Sequence, residues 1–233
     1  MKNLNITTVT QEKLSIQAGN LRLGDSIRAI VSDQLQSIGG DQVVAVVAGG
    51  AVRDFWAATM YGLDLKGSGD IDICVLGFDV FGPGTFDADC LLVDVANNLR
   101  AHGYSVDKTQ HHWNNEYGPL QDRLSLVMQM EVNGLDIDLL FYAPQIQSLP
   151  EMFETFNSPL NKFALSMAVH DELVVENFGF CPKEPNYTYT YNASTSSDEL
   201  IERADKMHQR WQAVRAAHIG RAAHPYANIV EPS

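Results

Sequence analysis

Apolar residues recur at helical intervals from Asp25 onward: Ile27, Ile30, Val31, Leu35 and Ile38, with Gly39-Gly40 closing the pattern. Ahead of them, residues 1–20 are polar and weakly patterned and read as an N-terminal extension. An unbroken β-branched run follows, VVAVV at 43–47, the pattern of a strand buried on both faces. It enters Gly49-Gly50 and then AVRDFWAATMYG, which has helical spacing and composition. A second strand, DIDICVLG, starts at Asp70, and a third helix spans 87–102 and ends near Gly103. Tyr104–Lys108 reads as a short strand, and the polar TQHHWNNEYGPL, 109–120, as a loop.

Two apolar runs, 123–132 and 135–142, flank Asn133-Gly134. Asn-Gly between strand-like runs predicts a β-hairpin, because both residues tolerate positive φ. Helices are expected near 149–156 and 160–169, then a strand at ELVVENF. CPKEPNYTYTYNASTSS reads as a linker or loose edge strand; its alternating Tyr187, Tyr189 and Tyr191 suit either base stacking or cover for a core edge. The last helix is the clearest. Ser196 and Glu199 have capping-box spacing, Leu200, Ala204, Met207, Trp211 and Val214 form one apolar stripe, and Arg203, Lys206 and Arg210 share the other face. The element order predicts an α/β (α+β) fold: a mixed β-sheet with flanking helices and a C-terminal helix. The expected division is 1–20 extension, 21–180 main domain, 181–233 linker and helical segment.

The 233 residues suffice for one good core. Acidic residues outnumber basic ones 29 to 16, for a net charge of −13, which excludes a general nucleic-acid coat. Cys74, Cys90 and Cys181 show neither a disulfide framework nor zinc spacing, which fits a reducing compartment. The first residues lack the apolar stretch of a secretory signal, and no run reaches the ~18 apolar residues of a membrane span. A cytoplasmic protein is expected.

Chemistry concentrates in three places. Gly49-Gly50 between strand and helix lets a ligand approach the backbone, with the helix N-terminus offering N–H groups to phosphate and Arg53 in its first turn. A tight turn with a surface arginine is the bland alternative. Asp70 and Asp72, at i and i+2 on a strand, share a face, and hard oxygen ligands side by side suit Mg²⁺ or Mn²⁺. Asp136-Ile137-Asp138 repeats the pattern on the hairpin's second arm. One of its acids is expected to face the core, and Asp138, between Ile137 and the apolar 139–141, is the more buried; Asp136 reads as a turn-proximal surface acid. A phosphate cradle beside converging carboxylates specifies two-metal phosphoryl or nucleotidyl transfer. His111 and His112 read as exposed loop histidines.

VVAGGAVRDFWAATMYG followed by GDIDIC resembles the signature of the tRNA nucleotidyltransferase and poly(A) polymerase group, within the DNA polymerase β-like superfamily. Gly49, Gly50, Val52, Arg53 and Asp54 match its first part and Asp70 and Asp72 its second. The resemblance places the third carboxylate on Asp136 or Asp138, Asp138 being favoured. It covers about residues 40–180 and sets Asn161, next to Lys162, at the family's Asn position. Thr155, Phe156 and Asn157 stand where the family has Arg-Arg-Asp. The long helical body that holds tRNA in the family has no counterpart in the roughly fifty residues after the core. The resemblance implies a small stand-alone nucleotidyltransferase, of the kind found in bacteria and phages. It would bind ATP or another NTP through Gly49, Gly50, Arg53, Asn161 and Lys162, and hold magnesium through Asp70, Asp72 and Asp138. Its acceptor would be an RNA 3′ end, a protein or a small molecule. Arg203, Lys206 and Arg210 are candidates for guiding RNA in. The competing reading is a catalytically silent binding or inhibitor protein on the same fold.

Overall fold

The computed structural model describes residues 4–67, 69–81, 87–113, 123–166, 172–181, 183–184 and 198–222. Ser196, Tyr187, Tyr189 and Tyr191 lie outside them. The elements are β1 (Thr7–Thr8), α1 (Gln11–Gly39), β2 (Val44–Ala48), α2 (Gly50–Tyr61), β3 (Leu63–Asp64), β4 (Ile71–Leu76) and α3 (Ala88–Ala101). Then come β5 (Val106–Trp113), β6 (Leu124–Val132), β7 (Leu135–Tyr142), α4 (Leu149–Glu154), β8 (Phe163–Ser166), β9 (Val174–Asn177) and α5 (Asp198–Ala222).

Among the described residues one seven-stranded sheet runs β5-β6-β7-β4-β2-β8-β9, and β1 pairs with β3 in a separate two-stranded one. β4 and β7 are parallel; every other neighbouring pair is antiparallel. This is the expected mixed sheet with flanking helices and a C-terminal helix. Alternation along the strands gives the sheet two unlike faces. One, carrying Val47, Ile73, Met128, Ile137 and Leu139, packs with Ile27, Val31 and Leu35 of α1, Val52 of α2 and Val95 and Leu99 of α3. The other carries Val46, Cys74, Leu76, Val127 and Tyr142 under Met152 and Phe153 of α4. Met207, Trp211 and Val214 tie α5 into the first of these cores.

Several elements differ from the sequence expectation. α1 begins at Gln11, not near Asp25: Thr10 caps it by accepting from the Lys13 N–H, so half of the weakly patterned N-terminus is helical. β5 extends through Trp113, which puts His111 and His112 on a strand instead of in a loop. It is an edge strand, paired only with β6, and so keeps a polar sequence. The segment expected as a helix at 160–169 makes one 3-10 turn, Pro159–Asn161, and then becomes β8. Pairing with β2 and β9 overrides its helix-forming Ala and Leu. The Asn133-Gly134 hairpin forms as expected, with φ of 51° and 79°.

α1 crosses β4 closely: a β-carbon on Gly24 would meet Ile71 Cγ2 at 2.7 Å. β3 is anchored electrostatically. Asp64, 4% exposed, accepts from Lys13 and Lys66. Burial alone would raise its carboxyl, but these bonds outweigh burial and hold it at about 2. A depressed carboxylate stabilises the fold above the unfolded value near 3.9 and loses that contribution as pH falls toward 2. Asp64→Asn is therefore expected to cost about 1–2 kcal/mol at pH 7, after discounting for the half-exposed lysines, and almost nothing near pH 2. Denaturant melts across that range would show the two curves converge; parallel curves would remove the ion pairs from the account.

Candidate active site

Gly49 ends β2 and caps α2 in a conformation, φ 87° and ψ −137°, that only glycine adopts readily. Its N–H donates to the Phe163 carbonyl at 2.9 Å, which fixes the turn to β8. A β-carbon on it would fall 2.8 Å from Asp72 Oδ2, so the carboxylate lies directly against the turn. The Gly50 N–H bonds to Asp72 as well. The Gly-Gly pair and the first acidic motif are thus one site.

Asp72 of β4 and Asp138 of β7 are register partners on the two parallel strands, and Asp70 lies one residue before β4. Each of the three offers an oxygen within 4.8 Å of the others. Asp70 Oδ1 is buried without a hydrogen-bond partner. Burial, then the charges of Asp70 and Asp138, push Asp72 up to about 7, against the pull of Arg203 and the Gly50 N–H. Burial likewise raises Asp138, partly offset by Gln129. Three repelling carboxylates with an orphaned oxygen fit one or two hard divalent cations, which would neutralise them. The sequence reading took Asp138 as the more buried acid and Asp136 as a turn-proximal surface one, and their exposures fall in that order. Two residues apart, both lie on one face, and they differ in depth: Asp138 is 8% exposed and Asp136 sits at the rim.

Gln129 is a member that the sequence reading missed. It lies opposite Asp138 on β6 and donates to both carboxylate oxygens at 3.1 Å, while Gln110 Nε2 donates to its Oε1 at 2.7 Å. Only strand register reveals it. Arg123 was missed too. It precedes β6, donates to the Thr155 carbonyl at 2.9 Å, lies over the Phe156 ring and feels the charge of Asp72.

Arg53 is not on the surface. It is 2% exposed, bonded to Asp54 Oδ1 through Nε at 2.7 Å and Nη2 at 2.6 Å, and to Asn161 Oδ1 through Nη1 at 2.5 Å. Lys162 follows the 3-10 turn, its chain close against Gly179. On α5 the three basic candidates separate. Arg203 exerts its charge on Asp72, Lys206 pairs with Glu202 at 3.0 Å, and Arg210 donates to the carbonyls of Leu65 and Lys66.

A cleft of about 370 Å³ opens beside the triad on the β5–β6–β7 side, away from Gly49. Asp70 and Asp138 of the triad line it together with Gln110, Gln129, Lys108, Glu131 and Asp136. No helix of the described residues is long and apolar enough to cross a membrane.

No family model matches the chain, and no curated protein does. Solved structures do. A tRNA-processing enzyme in an apo form is 17% identical with a TM-score of 0.39, over 73% of this chain and 34% of that one. The same description with CTP gives 19% identity and 0.35, over 64% and 31%. A structure titled as mtPAP in complex with UTP gives 14% and 0.33, over 63% and 29%. The chain spans about a third of the length of these structures.

Proposed function

We propose that the chain is a divalent-metal-dependent nucleotidyltransferase. It moves a nucleoside monophosphate from ATP or another NTP to an acceptor hydroxyl and releases pyrophosphate. The observation that carries this reading is the convergence of Asp70, Asp72 and Asp138 within 4.8 Å, one oxygen of Asp70 being buried and unpartnered, against the Gly49-Gly50 turn. Metal bound there, Mg²⁺ or Mn²⁺, would offset charge on the phosphates and favour the ionised acceptor.

The chain's own groups divide the remaining work. The start of α2 receives phosphate oxygens beside the Gly49-Gly50 turn, whose own N–H groups are held by the Phe163 carbonyl and Asp72. Arg53 acts from the interior: it holds the Asn161 carbonyl, which leaves the Asn161 amide N–H groups and Lys162 to face the nucleotide. Arg123, packed on Thr155 and Phe156, takes the part of the arginines that the resembled family has at those positions. Arg203 adds positive potential from α5. The acceptor oxygen attacks the α-phosphorus as the bond to pyrophosphate breaks, the electron pair leaving with pyrophosphate. The acceptor proton passes to Asp138, whose carboxylate Gln129 keeps oriented through both oxygens. An NTP-consuming enzyme with three free thiols fits the cytoplasm.

The test is a transfer assay with Mg²⁺ or Mn²⁺, each labelled NTP in turn, total tRNA, a protein lysate and small-molecule acceptors. The Asp70→Asn, Asp72→Asn double variant is the control. Label that disappears with the variant supports the reading; label that persists in it sinks the mechanism.

A further inference from the structure

The three acids of the site are not held alike. Asp72 and Asp138 are register partners inside the sheet, so strand pairing fixes both. Asp70 precedes β4, whose first paired residue is Ile71. Leu65 is anchored in the core, but the chain from it to Asp70 reads Lys66-Gly67-Ser68-Gly69. Two glycines there give the backbone wide conformational freedom. The position of Asp70 therefore depends on what grips the chain just upstream of it. That grip comes from α5. Arg210 Nε donates to the Leu65 carbonyl at 3.1 Å, and its Nη2 donates to the Lys66 carbonyl at 2.8 Å. One planar guanidinium thus spans two successive carbonyls, a fork that lysine cannot reproduce. Its Nη1 lies 3.5 Å from Met207 Sδ, the sulfur that Arg53 Nη1 approaches at 3.7 Å. The clamped loop is one that needs holding. Lys66 sits at φ 53°, a left-handed conformation uncommon for lysine. Its N–H donates to Asp64 Oδ1 at 3.1 Å, and Gly67 lies directly against the Asp54 carboxylate.

Resting on the nucleotidyltransferase reading, we propose that Arg210 is a positioning residue for Asp70. Its fork on the Leu65 and Lys66 carbonyls fixes the loop that brings the Asp70 carboxylate to Asp72 and Asp138. The sequence reading had Arg210 as a guide for RNA; its guanidinium is instead engaged within the protein. The face of α5 that carries Arg203, Met207 and Arg210 then serves the site at three points: the charge on Asp72, the buried Arg53 and the loop before Asp70. Without the fork, Asp72 and Asp138 stay in their strands while Asp70 loses its fixed position. A divalent ion is then offered two well-placed carboxylates and one wandering one, so metal affinity and turnover fall together. The start of α2, which receives the phosphates, is untouched.

The experiment titrates Mn²⁺ alone into the whole chain and follows its paramagnetic resonance signal, with Asp72→Asn defining what is bound at the triad. Arg210→Ala is expected to weaken Mn²⁺ binding about tenfold or more, the scale of removing a group that orients a metal ligand. Arg210→Lys keeps the charge and loses the fork, and is expected to weaken it comparably. Millimolar guanidinium chloride, set against NaCl at the same ionic strength, is expected to restore Mn²⁺ affinity to the alanine variant. In transfer of labelled NTP, kcat should fall by a similar factor while KM for the NTP stays within about twofold. A lysine variant with wild-type Mn²⁺ affinity would make charge the cause and overturn the proposal. So would an alanine variant that melts lower yet binds Mn²⁺ as the wild type does. If Arg210→Ala does not fold, Arg210→Lys decides by the same titration. Wild-type chain that binds Mn²⁺ and transfers label, with variants that match it, defeats only the assignment of Arg210. Wild-type chain that binds no Mn²⁺ defeats the underlying activity and this proposal with it.

Discussion

Asp72→Asn is expected to lower nucleotidyl transfer by about a thousandfold or more, on the scale of losing a central electrostatic group, and at the same time to stabilise the metal-free protein. Both effects arise from one position. Asp72 lies against Gly49, between Asp70 and Asp138, and burial with those two charges pushes its carboxyl up to about 7. The sign follows from linkage. The unfolded chain ionises near pH 3.9 and the folded one near 7, so the folded state loses stability between those values and bears the whole cost above 7. Asparagine keeps an oxygen for the Gly50 N–H and carries no charge. We expect a gain of about 1–3 kcal/mol at pH 8, or several degrees in Tm, that vanishes toward pH 4. Melts in chelator at both pH values check it. Added Mg²⁺ should then raise the wild-type Tm more than the variant's, because only the wild type presents the full carboxylate set. A variant that melts lower at pH 8 would mean that the triad is not under electrostatic strain.

Asp54→Ala is expected to be the most destabilising single change near the site, at about 3–5 kcal/mol. Arg53 and Asp54 are 2% and 4% exposed, and truncating the acid leaves a guanidinium buried with one neutral oxygen partner, Asn161. The pair is also sterically fixed: a β-carbon on Gly67 would come within 1.4 Å of Asp54 Oδ2, so the 65–67 loop closes directly on the carboxylate. Combining the change with Arg53→Met should recover part of the loss, because no unpaired charge remains. Urea midpoints of the two single variants and the double variant measure this. Strict additivity would show that the two side chains contribute separately.

Local signals were the legible ones. Gly49-Gly50, Arg53 and the Asp70/Asp72 pair lie within one strand–helix–strand passage, so spacing alone brought them into one argument. Asp138 was distinguished from Asp136 by its apolar flanks, which report depth. What the sequence reading missed depends on pairing. Gln129 is one polar residue in an apolar run until β6 is set against β7. The outer half of β5 looks like a loop because an edge strand bonded on one side needs no hydrophobic alternation. β8 carries helix-forming residues and is a strand only because β2 and β9 flank it. The interior role of Arg53 was hidden for a related reason: arginine is rarely buried, and its partner Asn161 is remote in sequence.

The parallel pairing of β4 with β7 bears on how the chain reaches this state. The β6–β7 hairpin closes through two residues and belongs to the microsecond class of folding events. β4 meets β7 only across the intervening α3, β5 and β6 of the sequence, a non-local closure with a larger entropic barrier. That closure is also the step that forces Asp72 toward Asp138, so like charge opposes the chain when its search is most costly. Divalent cations should accelerate refolding by shielding this encounter, and stopped-flow traces with and without Mg²⁺ would register it; equal rates would place the closure after the rate-limiting step. In newly made chains the site would then inspect its own assembly, since a molecule with β4 unjoined has no complete cage to offer an ion.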